Sequence, residues 1–163
     1  MNILLLDDQR DLMRVYAEKL KAGGHVVLMV ADMTTAQLLM NRATANNRPF
    51  DLIVIDLLLK RFETVFQQEH RIISQAMAQA RLGNIPTGQA LGLYLWQSLP
   101  RTPYCYLSAH LSYWMRGLGS PPEFAGASDT ELPQLRLEKD KVKLAELEQT
   151  LKSVVALWQQ KRW

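Results

Sequence analysis

Five residues in this chain combine the types that phosphoryl chemistry uses. Asp7 and Asp8 stop the run LLLDD, Asp56 ends DLIVID, Ser108 follows YCYL, and Lys139 follows LRLE. Carboxylates brought together raise one another's pKa unless something positive intervenes. Their hard oxygens suit Mg²⁺, which accepts one or two carboxylates and completes its octahedron with water, carbonyl and phosphate oxygens. A hydroxyl and an ammonium beside them fit phosphoryl transfer onto a carboxylate: cation and lysine neutralise the oxygens in transit, and the hydroxyl receives the group. Taken singly, each aspartate is as readily a helix cap or a surface charge. Wide separation of the three, or an arginine or lysine buried permanently in their midst, would defeat a signalling reading altogether.

The elements that must position these residues are legible as alternation. Asn2 to Leu6 is a short apolar run, and Leu12, Val15, Tyr16 and Leu20 then recur at helical spacing until Gly23-Gly24. Val26 to Val30 reads as a second strand, Met33 to Ala45 as a second helix, and DLIVID as a third strand. A helix near Leu91 to Leu99, a strand at Tyr104 to Leu107, and a short strand at Leu135 to Leu137 follow. The last helix carries Leu144, Leu147, Leu151, Val154, Val155 and Trp158 on one stripe. Five strands alternating with helices predict an α/β fold, a doubly wound parallel sheet covered on both faces. With strand order 2-1-3-4-5, the ligand crevice lies at the carboxyl ends of strands one and three, where Asp7, Asp8 and Asp56 would meet.

Composition bounds the alternatives. At 163 residues and 48% hydrophobic content, residues 1–163 read as one domain, large enough to bury roughly 70% of its unfolded surface. Net charge is +3, with basic residues scattered among acids, which argues against direct nucleic-acid binding. No apolar run approaches the roughly 20 residues of a membrane span, and the early acids argue against a secretory signal. One cysteine, Cys105, permits no internal disulfide and favours the cytoplasm. His25, His70 and His110 lack ligand-like spacing.

Read in order, LLLDD, RPFDLIVID, TGQALGLYLWQSLP, YLSA and LEK resemble the receiver domain of two-component response regulators, a flavodoxin-like fold, over essentially the whole chain. The resemblance implies a stand-alone regulatory phosphoacceptor that assists its own phosphorylation and dephosphorylation, rather than an enzyme. Asp56 would be the phosphoacceptor, and Asp7, Asp8, Asp56 and the backbone carbonyl of Leu58 would hold Mg²⁺. Ser108 would be the switch hydroxyl, Ala109 would leave room for the phosphoryl group, and Lys139 would contact it. Leu58 and His110 stand where the family modulates dephosphorylation. Implied partners are a histidine kinase or phosphotransfer protein and a downstream protein of unknown identity. Self-association through the last helix stays open, as does packing of that helix on its own domain.

Departures from the family pattern are specific. Asp140 stands where a proline usually follows the lysine, and Arg136 replaces the aromatic switch residue. SPPEF close behind YWMRGLG predicts a short or irregular fourth helix. The segment between Asp56 and Ser108 is longer by roughly twenty residues than the family needs, against ordinary loops of about 2 to 6. Within it, Phe62, Val65, Phe66, Ile72, Ile73, Ala76, Met77 and Ala80 share a stripe ending at Gly83 and Pro86. The expectation is an inserted helix and loop over about 60–86, roughly five turns and 28 Å long at 1.5 Å per residue. It could lid the acidic site, dock on its own domain or meet a partner. Two other readings compete: an unphosphorylated pseudo-receiver acting as an interaction module, and an aspartyl-nucleophile phosphohydrolase. Adjacent Asp7-Asp8 departs from the Asp-x-Asp of the haloacid dehalogenase family.

Overall fold

In the computed structural model, which describes residues 1–59, 65–80 and 88–163, five parallel strands form one sheet. They are β1 (Asn2–Leu6), β2 (Val26–Val30), β3 (Leu52–Ile55), β4 (Tyr104–Ser108) and β5 (Arg136–Glu138), in the order β2-β1-β3-β4-β5. The winding reverses between β1 and β3, as the alternation predicts. Uniformly apolar stretches make the central strands: every residue of β3 is buried, and so is every residue of β4. That is the pattern of a parallel sheet covered on both faces.

Helices α1 (Arg10–Ala22), α2 (Met33–Ala45), α3 (Gln67–Gln79), α4 (Gln89–Gln97), the four-residue α5 (Leu132–Leu135) and α6 (Leu147–Lys161) complete the fold. α1 buries Met13, Tyr16, Ala17 and Leu20; of the expected stripe Tyr16 and Leu20 are buried, Leu12 is half-buried, and Val15 is exposed because the buried face runs through Met13 and Ala17 instead. Asp32 starts α2, its carboxylate accepting from the Thr35 amide at 2.7 Å. α6 buries Leu147, Leu151, Val154, Leu157 and Trp158; Leu144 precedes the helix and is exposed. Trp158 and Trp163 pack against Trp96 with centroid distances of 5.9 and 5.4 Å, so the aromatic end of α6 is used within the domain.

The extra helix between β3 and the glycine-led helix is present as α3, but shorter than expected. It has 13 residues, about 20 Å at 1.5 Å per residue. Phe66 has φ 57°, a left-handed conformation that cannot continue a helix backwards, so Val65 and Phe66 precede α3. Its buried stripe is Glu69, His70, Ile73 and Met77, with Phe66 buried just before it, while Ala80 is exposed. α3 packs on α4, with the Phe66 and Tyr94 rings 4.6 Å apart. Phe62, Gly83 and Pro86 lie outside the described residues. Beyond β4, one 3-10 turn at Leu111–Tyr113 and a series of turns stand where the family's fourth helix would run. β5 begins at Arg136 rather than Leu135, because the LPQL turn is helical. Among the described residues no helix is long and apolar enough to cross a membrane.

Candidate functional site

The carboxyl ends of β1 and β3 bring the three aspartates together. Asp7 extends β1, its amide donating to the Val30 carbonyl at 3.0 Å, and the Asp56 amide donates to the Leu6 carbonyl at 2.8 Å. Both side chains are therefore placed by sheet hydrogen bonds and not by loop conformation. Asp7 and Asp56 are buried and Asp8 is half-buried. One carboxylate oxygen from each lies within 4.8 Å of the others. Asp7 Oδ1 also accepts from the Gln9 amide at 2.8 Å, which orients its carboxylate at the head of α1.

Lys139, leaving the end of β5, reaches into this cluster. Its Nζ lies 2.7 Å from Asp7 Oδ2 and 3.1 Å from Asp56 Oδ2, with all three side chains buried. A lysine buried permanently among the acids is what the sequence reading sets against a signalling role. The charge balance bears on that point: three carboxylates against one ammonium leave two negative charges in excess. Asp56 Oδ1 is buried and has no hydrogen-bond partner among the described residues. A desolvated anionic oxygen without a donor is costly unless a proton or a cation meets it. The donor set thus fits a divalent cation of the Mg²⁺ kind in addition to the lysine.

Burial is the largest influence on how Asp7 and Lys139 titrate. Burial pushes the Asp7 carboxyl above its ordinary value, and the hydrogen bond from Lys139 only partly offsets it. Burial pulls on the Lys139 ammonium in the deprotonating direction, but Asp7 and Asp56 together outweigh it and hold the pKa above the ordinary lysine value. Lys139 is therefore charged throughout the physiological range.

Ser108 ends β4 fully buried beside this cluster in the sheet order; its Oγ accepts from the His110 amide at 3.2 Å. Its carbonyl accepts the Lys139 amide at 3.2 Å, tying the serine and lysine strands at their functional ends. Ala109 and His110 are exposed, and the His110 ring lies 5.9 Å from that of Tyr113. Leu58, two residues after Asp56, is half-buried. Arg136 does not join the acids: its guanidinium lies 4.2 Å from the Trp114 ring centroid and donates to the Leu111 carbonyl at 3.5 Å. It fills the aromatic position by stacking on an aromatic residue from the neighbouring segment.

Two supports escape sequence reading. Gly88 packs so closely that a side chain there would overlap the Asp56 carbonyl oxygen, and its amide donates to the Leu57 carbonyl at 2.9 Å. The next residue, Gln89, is fully buried and clasps Met115: Nε2 donates to its carbonyl at 2.8 Å, and Oε1 accepts its amide at 2.9 Å. Behind them Glu123 is buried under four donors. Tyr104 Oη (2.6 Å), Gln89 Nε2 (2.9 Å), Trp114 Nε1 (3.0 Å) and Tyr106 Oη all point at its carboxylate. Burial nevertheless raises the Glu123 pKa. The signal for this network was two tyrosines on one face of a central strand, whose hydroxyls demand a buried acceptor.

No protein-family model matches the sequence, and no curated protein matches it. Among solved structures, the chain is similar to the signal receiver domain of a LuxO repressor protein from Vibrio parahaemolyticus (16% identity, TM-score 0.59), covering 99% of this chain and 94% of that one. It is also similar to the NtrX receiver domain from Brucella abortus (19%, 0.57), covering 94% and 98%. The non-phosphorylated HemR receiver domain from Leptospira biflexa (19%, 0.56) matches over 95% and 94%. At these identities the likeness establishes a shared fold: five parallel strands in the receiver order, with helices on both faces.

Proposed function

We propose, from a fold held in common with response regulator receiver domains, that this chain is a receiver that accepts a phosphoryl group on Asp56. The observation that carries the reading is the cluster of Asp7, Asp8 and Asp56 oxygens within 4.8 Å, with Lys139 bonded to two of the three carboxylates. Asp7, Asp8, Asp56 and the Leu58 carbonyl would hold Mg²⁺, which when bound supplies charge neutralisation for the incoming phosphoryl group.

An Asp56 carboxylate oxygen attacks the phosphorus of a phosphohistidine on a histidine kinase or phosphotransfer protein. The N–P bond breaks as the O–P bond forms, and the leaving imidazole recovers a proton from solvent. Lys139 then moves its ammonium contact from the Asp56 carboxylate to the phosphoryl oxygens, stabilising charge as it develops there. Ser108 supplies a hydroxyl donor from the adjoining strand, and the small side chain of Ala109 leaves space. Water later cleaves the O–P bond, releasing phosphate and regenerating the carboxylate. Signalling follows through contact with another protein in the cytoplasm, with His110, Leu58 and Arg136 as modulating positions.

A second reading, a pseudo-receiver that binds partners without phosphorylation, is favoured by the same Lys139 ion pairs, because they close the acidic site. Intact-mass measurement after incubation with Mg²⁺ and acetyl phosphate separates the two. A phosphoryl adduct that Asp56→Asn abolishes supports the receiver. No adduct, together with no response to Mg²⁺ titration, supports the pseudo-receiver.

A further inference from the structure

β2 is the outer strand on its side of the sheet, and its sequence VVLMV carries no charge. Val26 donates its amide to the Met1 carbonyl, and the Val30 carbonyl accepts from Asp7. With the parallel register of Asn2 on Val26 through Leu6 on Val30, the even-numbered residues bond to β1. The backbone groups of Val27 and Met29 therefore point outward. Three of the five side chains along this edge are exposed, Val26 at 62%, Leu28 at 42% and Met29 at 42%, while Val27 and Val30 are buried. Val15 on α1 and Leu38 on α2, the helices that pack on β2, add exposed apolar surface.

Sheet edges are ordinarily blunted by short length, charge, proline or a covering element. The opposite edge follows that rule: β5 has three residues, includes Arg136 and Glu138, and the turn at Leu111–Tyr113 packs on it. β2 has none of these devices.

We infer that β2 pairs antiparallel with β2 of a second copy of this chain, about a twofold axis at Leu28. The strand is self-complementary for that arrangement. The outward groups of Val27 and Met29 are symmetric about Leu28, so Val27 exchanges hydrogen bonds with the partner's Met29, and Met29 with the partner's Val27. Leu28 then faces its own copy as the close, non-hydrogen-bonded pair. Flanking charge does not oppose the antiparallel sense. The twofold axis keeps Lys19 and Lys21, in the last turn of α1 just before β2, away from the same lysines of the other copy and sets them beside a hollow in which Asp11 and Asp32 balance Arg10 and Arg14. A parallel arrangement would instead stack the lysine ends on each other. The product is one continuous ten-stranded sheet whose interface does not cover the two acidic clusters, since Asp7, Asp8 and Asp56 lie at strand ends and not along the β2 edge.

Light scattering on the full chain over a dilution series tests the pairing. The expected mass is twice that of one chain, falling to one on dilution. Leu28→Lys, which puts like charges face to face, should give a single-chain mass where the wild type is doubled, with circular dichroism unchanged. A cysteine pair tests the register independently of whether that variant folds. Leu28→Cys should form a covalent dimer under oxidation, whereas Met29→Cys, facing Val27, should not; Cys105 is buried and takes no part. A single-chain mass at every concentration would overturn the inference. So would a dimer that Leu28→Lys leaves intact, or equal cross-linking from positions 28 and 29.

Discussion

Replacing Lys139 by methionine tests the acidic cluster most directly. The ammonium is buried and bonds Asp7 at 2.7 Å and Asp56 at 3.1 Å. Its removal leaves two buried carboxylates without compensation, for which breaking a buried pair costs about 3–5 kcal/mol. The variant's cheapest escape is to protonate one acid, and Asp7, whose carboxyl burial already holds above its ordinary value, is placed to do so. The pH dependence follows with a definite sign. A carboxyl whose folded pKa is raised destabilises the fold above that value, and the penalty disappears as pH falls towards the unfolded value. Urea unfolding should therefore show Lys139→Met about 3–5 kcal/mol less stable than wild type near pH 7, with the gap narrowing in acid. Mg²⁺ should return part of the loss, about 2.7 kcal/mol at a hundredfold excess over its dissociation constant. A loss below about 1 kcal/mol, or one indifferent to both pH and Mg²⁺, would refute the electrostatic account.

Other perturbations give separate checks. In wild type the raised Lys139 pKa contributes stability that is complete below the ordinary lysine value and lost as pH rises through the folded one; alkaline unfolding monitored by circular dichroism should show that limb, and Lys139→Met should lack it. Gly88→Ala forces a methyl group against the Asp56 carbonyl and should cost about 1–3 kcal/mol in urea unfolding while slowing adduct formation from acetyl phosphate. Tyr106→Phe removes one of four donors to Glu123 and should cost about 1–3 kcal/mol by the same assay, with adduct formation retained.

How far the sequence could be read depended on the range of the interaction. Strand ends were legible because apolar runs stopped on acids, so convergence of Asp7, Asp8 and Asp56 followed from topology. Lys139 was placed beside the acids by the resemblance, but its pairing with two of the carboxylates was not legible, because it depends on where β5 ends after an irregular segment. α3 was expected to be longer because Val65 and Phe66 continue its apolar spacing; the positive φ of Phe66, a backbone property that periodicity does not encode, starts it later. Glu123 lay hidden for another reason. A glutamate beside two prolines reads as surface loop until the tyrosines and tryptophan that surround it are seen in space. Arg136 was read correctly as a departure, but its stacking on Trp114 needed the third dimension.

Gly88 and Gln89 are consecutive, yet one abuts the main chain of Asp56 and the other grips Met115 through both of its amide atoms. The first turn of α4 therefore meets the main chain on both sides of the domain within two residues, so a side chain added at position 88 would press on Asp56 at one end of a segment whose other end holds Met115.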